Sequence, residues 1–247
     1  MIALLATLVG WALVAYGNQA LAIVNPVLLP TPGAVAAVLI DGLGDGSLPR
    51  NVLTSLVRVV EGFGLAAAAA VLAGVLVGIC TPLRVMVEPV IEFVRPIPPL
   101  AFLPMFLVWF GLGETSKIAF IAYTTFFPMF IAVAASVLRV DVLLLRAAAS
   151  LGARRVDLIR RVVIPAALPG IIVALRVGFG LALFVIVGAE FMGADAGLGY
   201  LIMEGRTFFN PPQIVMGALV LGLLGSLVNW LLLAVEQRIF AAQKGAV

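Results

Sequence analysis

The sequence lacks histidine altogether and contains one cysteine, Cys80, among its 247 residues. A disulfide within the chain needs two cysteines and is therefore excluded. Without imidazole the chain has neither the commonest metal ligand nor the commonest general base. Charged residues make up only 11% of the chain. We therefore expect no metal site and no hydrolytic chemistry in this chain.

Apolar residues fill most of the sequence. They make up 64% of it, with a mean hydropathy of +1.23, whereas soluble domains are roughly half apolar. A membrane-spanning helix needs about 20 consecutive apolar residues. Six segments meet this requirement, near residues 2–24, 53–80, 86–111, 117–138, 166–190 and 213–236. The sequence therefore predicts an all-helical membrane protein with six transmembrane helices in one domain, residues 1–247.

The basic residues between these segments predict the orientation of the chain. One set of joints holds Arg84, the stretch 139–161, Arg238 and Lys244. The other joints hold Arg50, Lys117 and Arg206 together with Asp41, Asp45, Glu114, Asp195 and Glu204. Cytoplasmic loops of membrane proteins are rich in Lys and Arg, so the first set and both termini are placed in the cytoplasm. This bias also explains the pI near 9.5, and we expect no nucleic-acid partner.

The most basic stretch is "RAAASLGARRVDLIRRVVIPAALPG", residues 146–170. On a helical wheel with about 100° per residue, its charged arc is Arg154, Asp157, Arg160 and Arg161. The opposite arc is apolar except for Arg155. Gly152 can supply the bend before this helix, and Pro165 and Pro169 mark the entry into the next span. Such a helix either lies on anionic lipid headgroups or docks on a protein.

A segment that superficially resembles a phosphate loop is "GLGETSK", residues 111–117. Ser116 stands where the glycine before the lysine is required, and no strand leads into the segment. The chain therefore has no ATP site of its own, and we expect it not to be an enzyme.

The basic stretch resembles the cytoplasmic EAA loop of ABC importer permeases. Arg146-Ala147-Ala148, Gly152 and Val162-Val163-Ile164-Pro165 follow the spacing of its pattern, E-A-A, three residues, G, nine residues, I-x-L-P. "RPIPPLAFLPMFLVWFGLGETSKI", "FFPMF", "IPAALPGIIVALR" and "AEFMGADAGLGYLI" resemble the nitrate, sulfonate and taurine branch of these permeases. Arg146 departs from the pattern because a glutamate is usual there, and Val162 and Ile164 replace isoleucine and leucine.

This resemblance implies a type I ABC importer permease fold, with a coupling helix in a cytoplasmic loop at about residues 139–165. It also implies that the following residues couple the chain to an ATPase: Arg146, Ala147, Ala148, Gly152, Arg154, Arg155, Asp157, Arg160 and Pro165. The implied partners are two cytoplasmic ABC ATPase subunits that use ATP and Mg, a second permease subunit, identical or homologous, and a periplasmic binding protein. The implied location is the bacterial inner membrane, surrounded by lipid, and the implied substrate is a small anion or nutrient such as nitrate, sulfonate or taurine.

Charged residues inside apolar spans are costly, by about 3 kcal/mol or more at the helix centre, and therefore indicate function. The residues expected along the translocation path are Arg95, Pro96, Pro98, Pro99, Arg176 and Glu190. Irregular backbone at the prolines would line a cavity, Arg176 would offset the charge of an anion, and Glu190 would serve gating or structure.

Simpler structural roles stay open for several of these charges. Glu88 and Glu92 lie on the same helical side as Arg95, so an ion-pair ladder is equally compatible with the sequence. Arg58 and Glu61 are three residues apart and would neutralise one another.

The alternative function is a self-contained secondary transporter or channel. Such transporters often contain inverted repeats with paired broken helices. Only one strongly broken segment, at Pro96–Pro99, is visible in this sequence, so the importer permease is favoured.

Overall fold

The computed structural model describes residues 2–244, with the side chains of residues 6–234, 236 and 237. The described part is helical and contains no strand. Its α-helices are α1 (Ile2–Leu21), α2 (Pro32–Gly44), α3 (Ser47–Ile79), α4 (Thr81–Val94), α5 (Leu103–Phe110), α6 (Glu114–Leu138), α7 (Val142–Ser150), α8 (Arg155–Leu158), α9 (Ile164–Phe191), α10 (Leu198–Thr207) and α11 (Pro211–Lys244). Short 3-10 helices occupy Pro26–Leu28 and Pro99–Phe102, and a π-helix occupies Ile159–Val163.

The helices belong to two compact units. The first unit holds residues up to Val57 together with Glu190–Leu224. Its core consists of Val35, Leu48, Leu198, Leu201 and Met216, from α2, α3, α10 and α11. The second unit holds Arg58–Ala189 and the residues from Gly225 onward. Its core lies mainly between α3, α6 and α9.

Helices α3 and α6 pack closely and run parallel. A Cβ atom at Gly62 would lie 2.8 Å from Ile121, and one at Gly74 would lie 2.8 Å from Val133. A third contact of this kind joins Gly78 to Val137, with the same sequence offset. Glycines allow such close approach because they lack a side chain. Since the partner residue advances along α6 as the glycine advances along α3, the two helices point in the same direction.

Helices α6 and α9 run antiparallel. Gly170, near the start of α9, faces Ser136 near the end of α6. Gly178, further along α9, faces Met129, which lies about two turns before Ser136 in α6. The order of contacts is thus reversed relative to the α3–α6 pair. Two consecutive spans joined by a loop on one side of the membrane have this arrangement.

The segment predicted as one span at 86–111, broken at its prolines, consists of two helices. Thr81–Val94 and Pro99–Phe110 meet at an angle of 82°. Proline removes a backbone donor and clashes with the preceding turn, so the prolines between residues 96 and 99 account for the break. A re-entrant loop here would return the chain to the side it left and make α3 and α6 antiparallel. Because they are parallel, this bent pair crosses the membrane once.

The predicted total of six spans is not confirmed. By length and composition, the described residues contain four helices that can cross a membrane, or five spans when the bent pair is counted as one. The first predicted span, 2–24, corresponds to α1, of which the side chains of residues 2–5 lie outside the described ones. The span predicted at 166–190 is part of a continuous helical run, Arg155–Phe191.

Candidate functional site

The predicted coupling loop contains a well-defined backbone turn at Gly152. The Ala153 N–H donates to the Ala148 carbonyl at 3.1 Å, and the Gly152 N–H donates to the Ala149 carbonyl at 2.9 Å. Together with the positive φ of Gly152, +80°, these bonds form a Schellman motif that ends α7. The predicted bend at Gly152 is confirmed. It separates α7, which carries Arg146, Ala147 and Ala148, from the residues that follow.

The surface around this turn is both basic and apolar. Its basic side chains Arg146, Arg154, Arg155 and Arg160 are exposed. Its apolar side chains include Leu151, which is 89% exposed, and Leu143 and Val156, which are 69% and 59% exposed. We refer to these seven residues as the loop surface. Asp157 is left out of the loop surface because its carboxylate lies 3.6 Å from Arg161 in a surface ion pair. Such pairs typically stabilise a fold by less than about 1 kcal/mol.

The amphipathic segment predicted at 153–163 is not a separate helix. It starts as α8 at Arg155, widens into the π-helix and continues into α9 without a break. Within the wide turn the Ile164 N–H donates to the Ile159 carbonyl, five residues back. Pro165 is exposed, and a proline collides with the carbonyl four residues before it. The wider turn relieves this collision, so Pro165 is accommodated within the helical run.

The proline-rich break places Arg95 beside two cavities in the second unit. The first, of about 230 Å³, lies between α4 and α6. The second, of about 330 Å³, is lined by Arg95, Pro99 and the α6 residues Tyr123 and Phe127. Pro96 and Pro98 are exposed and are absent from both linings. Of the predicted path residues in this segment, the structure brings Arg95 and Pro99 together at a cavity.

Arg176 lies in an ion pair. Its Nη1 donates to Oε2 of Glu236 in α11 at 2.7 Å, with both side chains largely covered. Sequence reasoning assigned Arg176 to the substrate and did not single out Glu236, which lies 60 positions away. The observed partner of the guanidinium is thus a carboxylate of the same chain.

Glu190 is the centre of a buried hydrogen-bond network in the first unit. Its side chain is 1% exposed. The carboxylate accepts the Ser55 hydroxyl at 2.8 Å and the Gly199 N–H at 2.7 Å. The Ser55 oxygen in turn accepts the Leu198 N–H at 2.8 Å, and Asn51 accepts the Gly197 N–H at 2.6 Å. These bonds cap the N-terminus of α10, so the geometry supports the structural role expected for Glu190.

A buried charge cluster connects α3 to the start of α6, and sequence reasoning missed it. The Arg58 guanidinium binds both carboxylate oxygens of Glu114, at 2.5 and 2.6 Å. The Lys117 ammonium lies 3.5 Å from the same carboxylate and donates to the Leu112 and Gly113 carbonyls. Arg58 and Lys117 are each 3% exposed, whereas Glu61, the expected partner of Arg58, is exposed. The segment "GLGETSK" therefore connects the start of α6 to α3 through the ion pair of Glu114 with Arg58.

The first unit also contains a larger polar cavity, of about 520 Å³. Among the side chains that line it are Asp45, Arg50 and Glu204. The Ser47 backbone N–H bonds to the Asp45 carboxylate and lowers the pKa of that group. The Tyr200 hydroxyl donates to Glu204 at 2.9 Å, and this bond raises the pKa of the tyrosine. Two carboxylates at this cavity, those of Asp45 and Glu204, thus already have partners within the chain.

Comparison with known proteins places these features in a family. The family described as binding-protein-dependent transport system inner membrane component matches residues 63–241. A protein of Methanocaldococcus jannaschii that is named as an ABC transporter permease is 40% identical to this chain. The match covers 94% of this chain and 89% of the relative. The taurine transport system permease protein of Escherichia coli K12 is 36% identical, over 89% of this chain and 82% of its own.

A solved structure shares the fold. A chain from an inward-facing conformation of the MetNI methionine ABC transporter superposes with a TM-score of 0.67 at 21% identity, covering 79% of this chain and 95% of that one. Identity this low supports the fold alone, which is that of a type I ABC importer permease. Taken with the sequence relatives, it establishes that the chain belongs to the binding-protein-dependent transport system inner membrane component family, in the branch that includes the taurine permease.

Proposed function

We propose that this chain forms the translocation path of an ABC importer and couples it, through residues 139–165, to two cytoplasmic ATPase subunits. The loop surface carries this proposal. The exposed apolar side chains of Leu151, Leu143 and Val156 support an interaction site in this loop, because large exposed apolar areas on a soluble surface mark such sites. The neighbouring arginines suit acidic groups of a protein partner. ATP and Mg bind in the ATPase subunits. ATP closes the ATPase pair, and the coupling loop transmits this closure to the permease.

We infer the rest of the assembly from membership of the family. A second permease subunit, identical or homologous, completes the path, and a periplasmic binding protein delivers substrate. The whole chain, 1–247, acts as one permease domain in the bacterial inner membrane with both termini in the cytoplasm. The relative named for taurine supports a small anion or nutrient such as nitrate, sulfonate or taurine as the substrate.

Reconstitution tests this function against that of a secondary transporter or channel. The chain is incorporated into proteoliposomes with its binding protein, with and without the ATPase, and uptake of radiolabelled taurine, ethanesulfonate and nitrate is measured. We expect uptake only when both ATPase and ATP are present. Uptake driven by a sodium or proton gradient in vesicles without the ATPase would instead support a self-contained transporter.

A further inference from the structure

One face of α4 carries four charged residues: Arg84, Glu88, Glu92 and Arg95, the last of which directly follows the helix and keeps its conformation. At about 100° per residue these positions fall within an arc of about 80°. We call this arc the charged face. The neighbouring arc is apolar, and its residues Leu83, Val87 and Ile91 pack against the core formed by α3 and α6.

The charged face begins beside the end of α6, where the charge pattern places Arg84 in the cytoplasm, and runs along the span toward its middle. All four of its residues line the cavity of about 230 Å³, whose opposite wall is α6 from Phe130 to Leu138. Ile131 in this wall is about 10 Å from the end of α6, given 1.5 Å per residue. At its other end the charged face meets the second cavity, where Arg95 is accompanied by Tyr123 from the middle of α6. The face therefore extends from the α6 terminus toward the middle of the span.

Its charges have no partners within the described part of the chain. No hydrogen bond or ion pair joins any of the four side chains to another described group, and Glu88, Glu92 and Arg95 are exposed. The ion-pair ladder considered from the sequence is thus not formed. A charge facing lipid in the interior of the span would cost about 3 kcal/mol or more. The inner end of the charged face therefore contacts water, a polar ligand or a second subunit, and the two cavities provide space beside it for a small molecule.

The arrangement of the charges restricts what such a ligand can be. Two carboxylates and two guanidiniums leave the face with no net formal charge. Pores for anions use rings of Arg or Lys, whereas this face also carries the carboxylates of Glu88 and Glu92, which would repel a bare anion. Glu92 and Arg95 are separated by only about 4.5 Å along the helix axis. A single small molecule can therefore reach both.

Building on the proposed function, we infer that the charged face selects small zwitterions. The carboxylates Glu88 and Glu92 receive a primary amine, and Arg95 receives the anionic group. Charge complementarity of this kind determines which ligand is accepted more than it determines total affinity. Compounds that combine an amine with a sulfonate fit this description, whereas nitrate and unsubstituted sulfonates lack the group that the carboxylates require.

The test compares two probes that differ in the amine alone. Taurine and ethanesulfonate are supplied to proteoliposomes containing the complete complex, and the ratio of their initial uptake rates is measured. We expect Glu92→Gln to lower the taurine-to-ethanesulfonate ratio about tenfold, because it removes one charge pair with the amine. Glu92→Asp should restore most of the ratio. Glu61→Gln, the same change on an exposed carboxylate of α3, is the matched control and should leave the ratio as in wild type.

The other outcomes are distinct. An equal loss of both probes in Glu92→Gln would mean that the charged face is structural and would overturn the inference. Wild-type uptake of ethanesulfonate or nitrate without taurine would also overturn it, while leaving the ABC importer intact. Absence of ATP-dependent uptake of all three probes, with the ATPase bound, would contradict the proposed substrate range itself.

Discussion

Gly197 lies so close to the carboxylate of Glu190 that a Cβ atom at residue 197 would overlap it. The φ angle of Gly197 is +124°, a conformation that residues with a side chain rarely adopt. The glycine therefore meets two requirements at once. It lets the chain turn into α10, and it leaves room for the buried carboxylate that caps this helix.

Replacing this glycine should damage the first unit. We expect Gly197→Ala to destabilise the protein by about 3 kcal/mol, because the backbone is strained and the Glu190 hydrogen bonds are displaced. The apparent Tm of the purified protein in detergent measures the effect. Gly222→Ala is the control, since a Cβ there meets nothing within 4 Å and alanine favours helix. Equal Tm values for the two variants would contradict the assigned role of Gly197.

The ion pair between buried Arg58 and exposed Glu114 predicts that the two single variants differ in stability. Glu114→Ala removes the bidentate partner of a nearly fully buried guanidinium and should cost about 3–5 kcal/mol. Arg58→Met should cost less, because the Glu114 side chain is 57% exposed and water can solvate it. The double variant should be more stable than Glu114→Ala alone, as expected for coupled residues. Thermal unfolding in detergent tests this order, with Glu61→Gln as the neutral control.

Local sequence signals predicted the features that depend on single residue types. Gly152 predicted a bend, and the prolines from 96 to 99 predicted a break in the helix. Glycine and proline give such signals because each acts on the backbone conformation at its own position. The structure places both features at the predicted residues. Long apolar runs likewise predicted the long helices, because length and hydropathy are properties of the run itself.

The charge pairs could not be predicted in this way. Arg58 and Glu114 are 56 positions apart, and Arg176 and Glu236 are 60 apart. Local reasoning paired Arg58 with Glu61 and left Arg176 free for substrate, because it can evaluate only neighbours on the same helix. Lys117 is buried because its ammonium donates to the Leu112 and Gly113 carbonyls in the turn between α5 and α6. The sequence shows only a short polar segment there, which does not predict burial of the lysine.

Labelling of engineered cysteines should establish how the bent pair crosses the membrane. Three crossings separate Ser47 from Ser150 if the pair is a broken span, and two if it is re-entrant. In a Cys80→Ser background, Ser47→Cys should react with an impermeant thiol reagent only from the periplasm and Ser150→Cys only from the cytoplasm. Labelling of both from the same side would contradict the crossing inferred from the parallel α3 and α6. Gln243, which the charge pattern places in the cytoplasm, lies outside the described side chains.

Charge reversal should locate the docking face within the loop surface. We expect Arg155→Glu to release the ATPase from detergent-purified complexes more than Arg160→Glu does. The helical wheel predicts Arg155 in the apolar arc, so we expect a partner to bury it, and reversal of a buried charge leaves an unpaired group at a cost of several kcal/mol. A reversal at a solvated position is screened. Co-purification of the ATPase, quantified for both variants, checks this, and equal retention would mean that the docking face is assigned wrongly.

The Schellman turn at Gly152 should be required for coupling. A Cβ at this residue meets nothing within 4 Å, so the positive φ angle of +80° is the constraint. A β-branched residue there costs roughly 1 kcal/mol or more, and relief of that strain would reorient α8 relative to α7. Because the turn lies beyond the end of α6, the spans should still insert and pack. We expect Gly152→Val to accumulate normally but to lose both uptake and the stimulation of ATP hydrolysis by loaded binding protein.

Two controls separate coupling from general strain. Asparagine tolerates the left-handed conformation better than other residues with side chains, so Gly152→Asn should retain most of the uptake. Gly46 also has a positive φ, +74°, with nothing within 4 Å, but it lies between α2 and α3, in the first unit. Gly46→Val carries the same backbone strain and should leave ATPase stimulation intact. Wild-type uptake by Gly152→Val, or equal loss of stimulation in Gly46→Val, would show that the bend at Gly152 does not transmit the motion of the ATPase.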